Sequence, residues 1–422
     1  MKIEKTKING YDVFIHKTTK YSSIHMRFLF EMPYTREGIF KYDLLEEYQI
    51  HSSMKYKTRK ELSEKRMELY SLSYGMNNYN LGEKMFTEAT FNFYDPELVG
   101  DGYLRDGLEF AHEILFNPNF EDGHLDTVEL DRCKMNITSN IEDGLMDFRS
   151  RAGKHFIESL FPNTYKTRDS IASKEEYEEI IAGFSDEDLI SAHEYLVQHC
   201  LVGLVIMGNI KDEHLKYIED LFKFEETHEI DDDYREIIPM REDLAEVYHK
   251  TDADYGESIV RAVYECPASN LKEKLAYNVI NRMIGSSGML IHKTLREEQG
   301  IVYSAGSAHN RKLDYMVMLA YIDASNYEAA LEGFETVLKK LEDRNTLETL
   351  LAKVKEEVEL NEYTFDESKW NIFYELYDTS FNFYETQEER NDIYRALTCE
   401  DIEEALNKMK RITVHFYEGV KK

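Results

Sequence analysis

Ser22-Ser23-Ile24-His25-Met26-Arg27-Phe28-Leu29-Phe30 reads as a β-strand, because Ile24, Met26, Phe28 and Phe30 fall at every second position and line one face. Ser258-Ile259-Val260-Arg261-Ala262-Val263-Tyr264 has the same character, and its Arg261 stands 234 positions after Arg27. Just before these strands, His16-Lys17-Thr18 recurs as His249-Lys250-Thr251 at an offset of 233, and Ser52-Ser53 recurs later as Ser286-Ser287 at 234. Each half then carries another alternating strand, Met85 to Tyr94 and Tyr315 to Ile322, followed by amphipathic helices. Each half also closes alike. Ser185-Asp186-Glu187-Asp188-Leu189 and Thr398-Cys399-Glu400-Asp401-Ile402, 213 apart, put a hydroxyl at a helix N-cap with a carboxylate three residues on. Terminal strands follow at Leu201 to Met207 and Thr413 to Tyr417. A shared order at so long an offset indicates a duplicated domain rather than a solenoid, whose units run about 20 to 50 residues.

The length agrees. A chain of 422 residues with 42% apolar content exceeds one ordinary core and suits two domains of about 200 residues each. The expected division is 1–224 and 244–422. The joint is the acidic stretch 225–243, which contains Glu229-Ile230-Asp231-Asp232-Asp233 and Pro239 and lacks a sustained apolar period.

Composition excludes several functions. A formal charge of −31 and a pI near 4.9 oppose binding to phosphate backbones or anionic lipid, where affinity comes from Lys and Arg, so no nucleic acid and no membrane partner is expected. Cys133, Cys200, Cys266 and Cys399 are scattered without a C-x-x-C pair, which fits reduced thiols used in packing. The opening residues show no signal-peptide core, and no run of roughly 18 apolar residues occurs, so a cytoplasmic protein is expected.

Motifs for metal and nucleotide chemistry are incomplete. Two His ligands four apart on a helix with an activating carboxylate make a compact zinc hydrolase. His112-Glu113 meets Phe116 where the second His belongs, and His193-Glu194 meets Val197, so both read as ordinary helix residues. His193 and His199, six apart, point about 240 degrees away from each other around a helix. G-x-x-x-x-G-K-[ST], a strand-linked G-x-G-x-x-G and G-x-S-x-G are all absent, and Gly285-Ser286-Ser287-Gly288 has no Lys in register to hold a phosphate.

Leu295-Arg296-Glu297-Glu298-Gln299-Gly300-Ile301-Val302-Tyr303-Ser304 resembles the second-domain signature of the insulinase/pitrilysin-like zinc peptidases, with Arg and Tyr seven apart. In that family the two side chains hold substrate near the scissile bond, and a guanidinium and a phenol can both donate hydrogen bonds to peptide carbonyls. Arg296 and Tyr303 are therefore the expected substrate-binding pair. The resemblance covers the whole chain. It implies an α+β protein of two tandem, similar α/β roll domains, each a sheet packed by helices, forming a clamshell around a peptide chamber.

Active relatives carry an inverted motif, H-x-x-E-H, some fifteen residues before a helix start. Thr58 and Glu61 form a capping box resembling that start, and the motif positions then read Asp43-Leu44-Leu45-Glu46-Glu47. The general-base Glu position is kept at Glu46, while both His positions, Asp43 and Glu47, are acidic. No catalytic residue and no metal are expected on this chain. On a helix Asp43, Glu46 and Glu47 share one side, expected to be solvated, with Leu44, Leu45 and Tyr48 on the other. Carboxylates without imidazole select zinc poorly and suit harder cations. His51, four residues after Glu47, is a remote addition to Asp43 and Glu47. Glu129 is nearest to the family's third, later ligand. The resemblance thus implies a non-catalytic, peptide-binding subunit paired with a homologue that bears the zinc motif and supplies the zinc. The alternatives are a stand-alone peptide-binding scaffold in peptide maturation or modification, and a peptidase with another metal arrangement. A homodimer stays open.

Overall fold

A computed structural model describes residues 2–82, 84–162, 164, 166–230, 246–285 and 290–420. Part of the expected acidic linker (231–243) and the Ser286-Ser287 correspondence lie outside the described residues. The chain forms two compact units, each a mixed α/β layer arrangement.

The first unit holds β1 (Glu4–Ile8), β2 (Tyr11–Lys17), β3 (Ser23–Pro33), β4 (Ser73–Leu81), β5 (Lys84–Tyr94), a two-stranded ribbon of β6 (Phe120–Glu121) and β7 (His124–Leu125), and β8 (Leu201–Gly208). Its sheet runs β1-β2-β8-β3-β5-β4, with only β2 and β8 parallel. The second unit holds β9 (Val247–Asp254), β10 (Ser258–Glu265), β11 (Val302–Asn310), β12 (Tyr315–Ile322) and β13 (Lys410–Val420). Traversed from β9, its order is β9-β13-β10-β12-β11, again with only the first pair parallel. That repeats β2-β8-β3-β5-β4 strand for strand. The expected pairings of β3 with β10 and of β5 with β12 are therefore topological as well as sequential. The closing helices also match, since Ser185 and Thr398 each complete a capping box, with Asp188 and Asp401.

In β3 the face bearing Ile24, Met26, Phe28 and Phe30 joins the main core of the unit. Alternation puts His25, Arg27, Leu29 and Glu31 on the opposite face, and these are buried as well. Their cover is the helix Lys369–Ser380. Phe373, Tyr374 and Tyr377 set their rings 5.0, 5.5 and 4.9 Å from the Arg27 guanidinium, and Trp370 meets the His25 ring at 4.8 Å. Arg27 also pairs with Glu88 at 3.0 Å and donates from Nε to Thr90 at 3.1 Å.

The second unit repeats this arrangement with a different helix. Phe148–Leu160 lies on its sheet, where Phe156 stands 5.2 Å from the Arg261 guanidinium and Ala152 O accepts from Arg261 Nη1 at 3.3 Å. Phe148 stacks on Tyr255 at 4.0 Å, and Phe156, Leu160 and Phe161 cluster with Val263, Tyr315 and Val317.

The units therefore differ from the contiguous segments 1–224 and 244–422. The first comprises 1–146, 168–236 and 368–384, and the second 147–167, 237–367 and 385–422. Each half of the chain lends one amphipathic helix to the other's sheet, a long-range pairing that composition along the chain does not reveal.

Phe373→Ala should lower the stability of the first unit by ~3–5 kcal/mol, because it empties a fully buried ring site. The check is a lower urea midpoint followed by fluorescence of Trp370, the single tryptophan, which sits on the same helix.

Candidate functional site

The helix Arg36–Gln49 starts where the Thr35 side chain accepts from Gly38 N, and it buries Leu44, Leu45 and Tyr48 completely. The acidic side is not solvated as expected. Glu46 is buried and Asp43 half-buried, because β4, β5 and the helix Thr127–Met146 close over that side as well. Asn78 of β4 donates an amide N–H to Asp43 Oδ1 at 3.3 Å. Asn136 donates one to Glu47 Oε1 at 3.0 Å. Glu46 Oε1 is buried without a hydrogen-bond partner among the described residues.

Burial pushes the Glu46 carboxyl well above the usual carboxylate range, with the charges of Asp43, Glu88 and Glu47 adding to the effect. Burial also raises Asp43 to about 6, helped by Asp169 and opposed by the Asn78 hydrogen bond. These residues do not fit the zinc of the inverted motif. Imidazole is missing at both ligand positions, and the carboxylates there are each held by an asparagine amide.

Glu129 does not reach the motif face. It is buried, accepts from Arg59 Nε at 2.6 Å and lies 3.6 Å from Arg132 Nη1. Arg59 begins the helix Arg59–Glu68, whose capping box from Thr58 and Glu61 forms as expected. The residue that does reach the motif from the helix Thr127–Met146 is Asn136, two turns beyond Glu129. Nothing in the sequence marks it, since Asn is unremarkable in a polar helix stretch. His51 does not join Asp43. Its Nδ1 lies 3.5 Å from Glu47 Oε1 and 2.7 Å from Glu47 O, and a third group, Cys133, completes the cluster. His193 is an ordinary core residue, bonded through Nε2 to Leu115 O at 2.9 Å.

In the second unit Arg296 lies in a π-helical turn, His292–Glu298, and Gly300 at φ +66 reverses the chain into β11. Arg296 and Tyr303 are brought together. Arg296 Nη1 donates to Val302 O at 2.6 Å and to Tyr303 O at 3.0 Å, and the Tyr303 hydroxyl donates to Asp323 Oδ1 at 2.9 Å. The Asp323 carboxylate raises the pKa of Tyr303. β11 is the sheet edge, and the β11–β12 register shifts between Val302 and Ser304, so Tyr303 sits on a bulge, 46% exposed.

Residues 183–358 match the family described as the peptidase M16 inactive domain. That match covers part of the chain, and the solved structures extend the likeness in fold to the whole of it. A conserved protein from Enterococcus faecalis V583 has the same fold over 100% of this chain and 99% of its own, at 19% identity and TM-score 0.82. The peptidase M16 inactive domain from Pseudomonas fluorescens matches over 100% and 98%, at 13% identity and TM-score 0.74. A chain of complex III2 from Candida albicans matches over 99% and 96%, at 14% identity and TM-score 0.68. At these identities the likeness is one of fold. No curated protein matches the sequence. Measured against the expected inverted motif, the departure lies in the first unit at Asp43 and Glu47, while Arg296 and Tyr303 of the second unit stand together.

Asp43 takes up its proton more readily folded than unfolded. Its contribution to stability is full below its ordinary value of 3.8 and is lost as pH rises through about 6. Asp43→Asn keeps an oxygen for Asn78 and removes that loss. The variant should match the parent at pH 3.5 and exceed it at pH 8 by at most ~3 kcal/mol, read from paired urea titrations.

Proposed function

We propose that this chain is the non-catalytic, peptide-binding subunit of a heteromeric zinc processing peptidase, working in the cytoplasm with a homologue that carries an intact zinc motif. The observation that carries this reading is the state of the motif helix. Both imidazole positions are carboxylates engaged by Asn78 and Asn136, and the general-base position, Glu46, is a carboxyl whose burial favours its neutral form. That environment works against a general base, which must accept a proton from the attacking water. The hydrolytic zinc and its water then belong to the partner.

The second unit supports the peptide-binding half of the reading. Arg296 spends Nη1 on the carbonyls of β11, which fixes the plane and, among the described residues, leaves Nε and Nη2 to donate to a peptide carbonyl. Tyr303 beside it is exposed on an edge strand and oriented by Asp323. The match of residues 183–358 to an inactive peptidase domain and the likeness in fold to a chain of complex III2 are consistent with a subunit without its own chemistry. No helix among the described residues is long and apolar enough to cross a membrane.

Native co-purification followed by peptide-cleavage assays tests the proposal. Chelator-sensitive cleavage should arise only when a zinc-motif homologue is present. Chelator-sensitive cleavage by the isolated chain would overturn it, and peptide binding in an organism-wide pull-down that never recovers such a homologue would favour a scaffold.

In the assembled peptidase, Arg296→Ala should weaken peptide affinity about tenfold or more, the scale of a hydrogen bond from a charged donor. Tyr303→Phe should weaken it by about two- to tenfold. Titration with a fluorescent peptide reads both.

A further inference from the structure

One turn beyond the degenerate motif, three side chains of different chemistry converge. Glu47 ends the acidic series on the helix Arg36–Gln49, His51 follows in the turn after it, and Cys133 faces them from the helix Thr127–Met146. One ligand atom of each, a carboxylate oxygen, an imidazole nitrogen and a sulfur, lies within 4.8 Å of the other two. We propose that Glu47, His51 and Cys133 form a zinc-class transition-metal site that shares only Glu47 with the H-x-x-E-H positions.

Bond lengths of about 2.0 to 2.3 Å put the donors of a tetrahedral ion roughly 3.3–3.6 Å apart. Glu47 Oε1 and His51 Nδ1 already stand at 3.5 Å, and closing the site asks the imidazole to give up its 2.7 Å contact between Nδ1 and Glu47 O. The donor set is selective. Thiolate and imidazole favour zinc and cobalt over magnesium or calcium, which want oxygen alone, and this set differs in kind from the purely acidic Asp43, Glu46 and Glu47.

The surroundings fit a cation. Cys133 is fully buried, and its Sγ lies 3.7 Å from Glu129 Oε1, a further carboxylate beside the three donors. Arg59 Nη2 lies 3.9 Å from Cys133 Sγ, and its charge is already matched by Glu129 at 2.6 Å. Asn136 holds Glu47 from the other side at 3.0 Å, the kind of outer hydrogen bond that orients a ligand. Glu47 and His51 are half-buried, which leaves a path for the ion.

Such an ion ties the end of the motif helix to the helix Thr127–Met146. It is a clamp rather than a restored hydrolytic centre, because Glu46 stays buried and is not one of its three donors. The proposal is independent of any partner subunit, and it places a metal on a chain expected to carry none.

The test is titration of the purified, metal-free, reduced full chain with Co²⁺. The expected result is one Co²⁺ per chain with a near-ultraviolet sulfur-to-cobalt charge-transfer band, which zinc competes away. Cys133→Ser should abolish the band. His51→Gln, at a half-exposed position outside the core, should keep the fold by circular dichroism and weaken affinity at least ~10-fold. No stoichiometric Co²⁺ binding by the folded chain, a thiolate band that persists in Cys133→Ser, or unchanged affinity in His51→Gln would each overturn the site. None of these outcomes bears on co-purification with a zinc-motif homologue, so the two proposals fail separately.

Discussion

A guanidinium on the middle strand of each sheet is the constraint around which the rest of the structure is arranged. Arg27 and Arg261 both sit where a strand is covered on two faces, and an uncompensated charge there would be costly. Each is covered by aromatic side chains on an amphipathic helix, Phe373, Tyr374 and Tyr377 for Arg27 and Phe156 for Arg261. A desolvated cation–π contact contributes about 2 kcal/mol or more, and the rings exclude water from the sheet at the same time. Burial lowers Arg261 to about 10, still far above neutral, so the charge persists and needs its cover. Because each covering helix comes from the other half of the chain, neither half by itself carries the cover for its own sheet.

The same crowding reshapes the motif helix. A helical projection of Asp43, Glu46 and Glu47 shows a charged stripe, yet packing on that side removes Glu46 from water and pushes its carboxyl above the usual carboxylate range. Asn78 and Asn136 then act as neutral donors to the two outer carboxylates, which is how a site can lose metal ligands without leaving a hole or a bare cluster of like charge. In the second unit the constraint is backbone geometry. The reversal at Gly300 and the bulge at Tyr303 let Arg296 reach the carbonyls of the strand that presents the tyrosine.

Much of this was legible in the residues. The alternation through Ile24, Met26, Phe28 and Phe30 marks β3 and its buried face. The offset from Arg27 to Arg261 marks its counterpart, and the boxes at Ser185 and Thr398 mark matching helix starts. Local rules suffice for these, because a strand's two-residue period and a cap's three-residue reach are short-range. Asn136 was not legible, and neither was the contact of Cys133 with Glu47 and His51, since a helix some ninety residues away brings them together. Glu129 looked like the better ligand by type, and only its engagement with Arg59 removes it.

By itself, then, the sequence determined that the chain is duplicated, that each copy is a strand-and-helix layer, and that imidazole is absent from Asp43 and Glu47. Tertiary structure alone decided which helix covers which sheet, that Glu46 lies buried, and that Arg296 binds the strand bearing Tyr303. The physical reason is range. Periodicity and capping are properties of neighbours along the chain, whereas burial, the pKa shifts that follow from it and the meeting of distant side chains depend on which surfaces pack together.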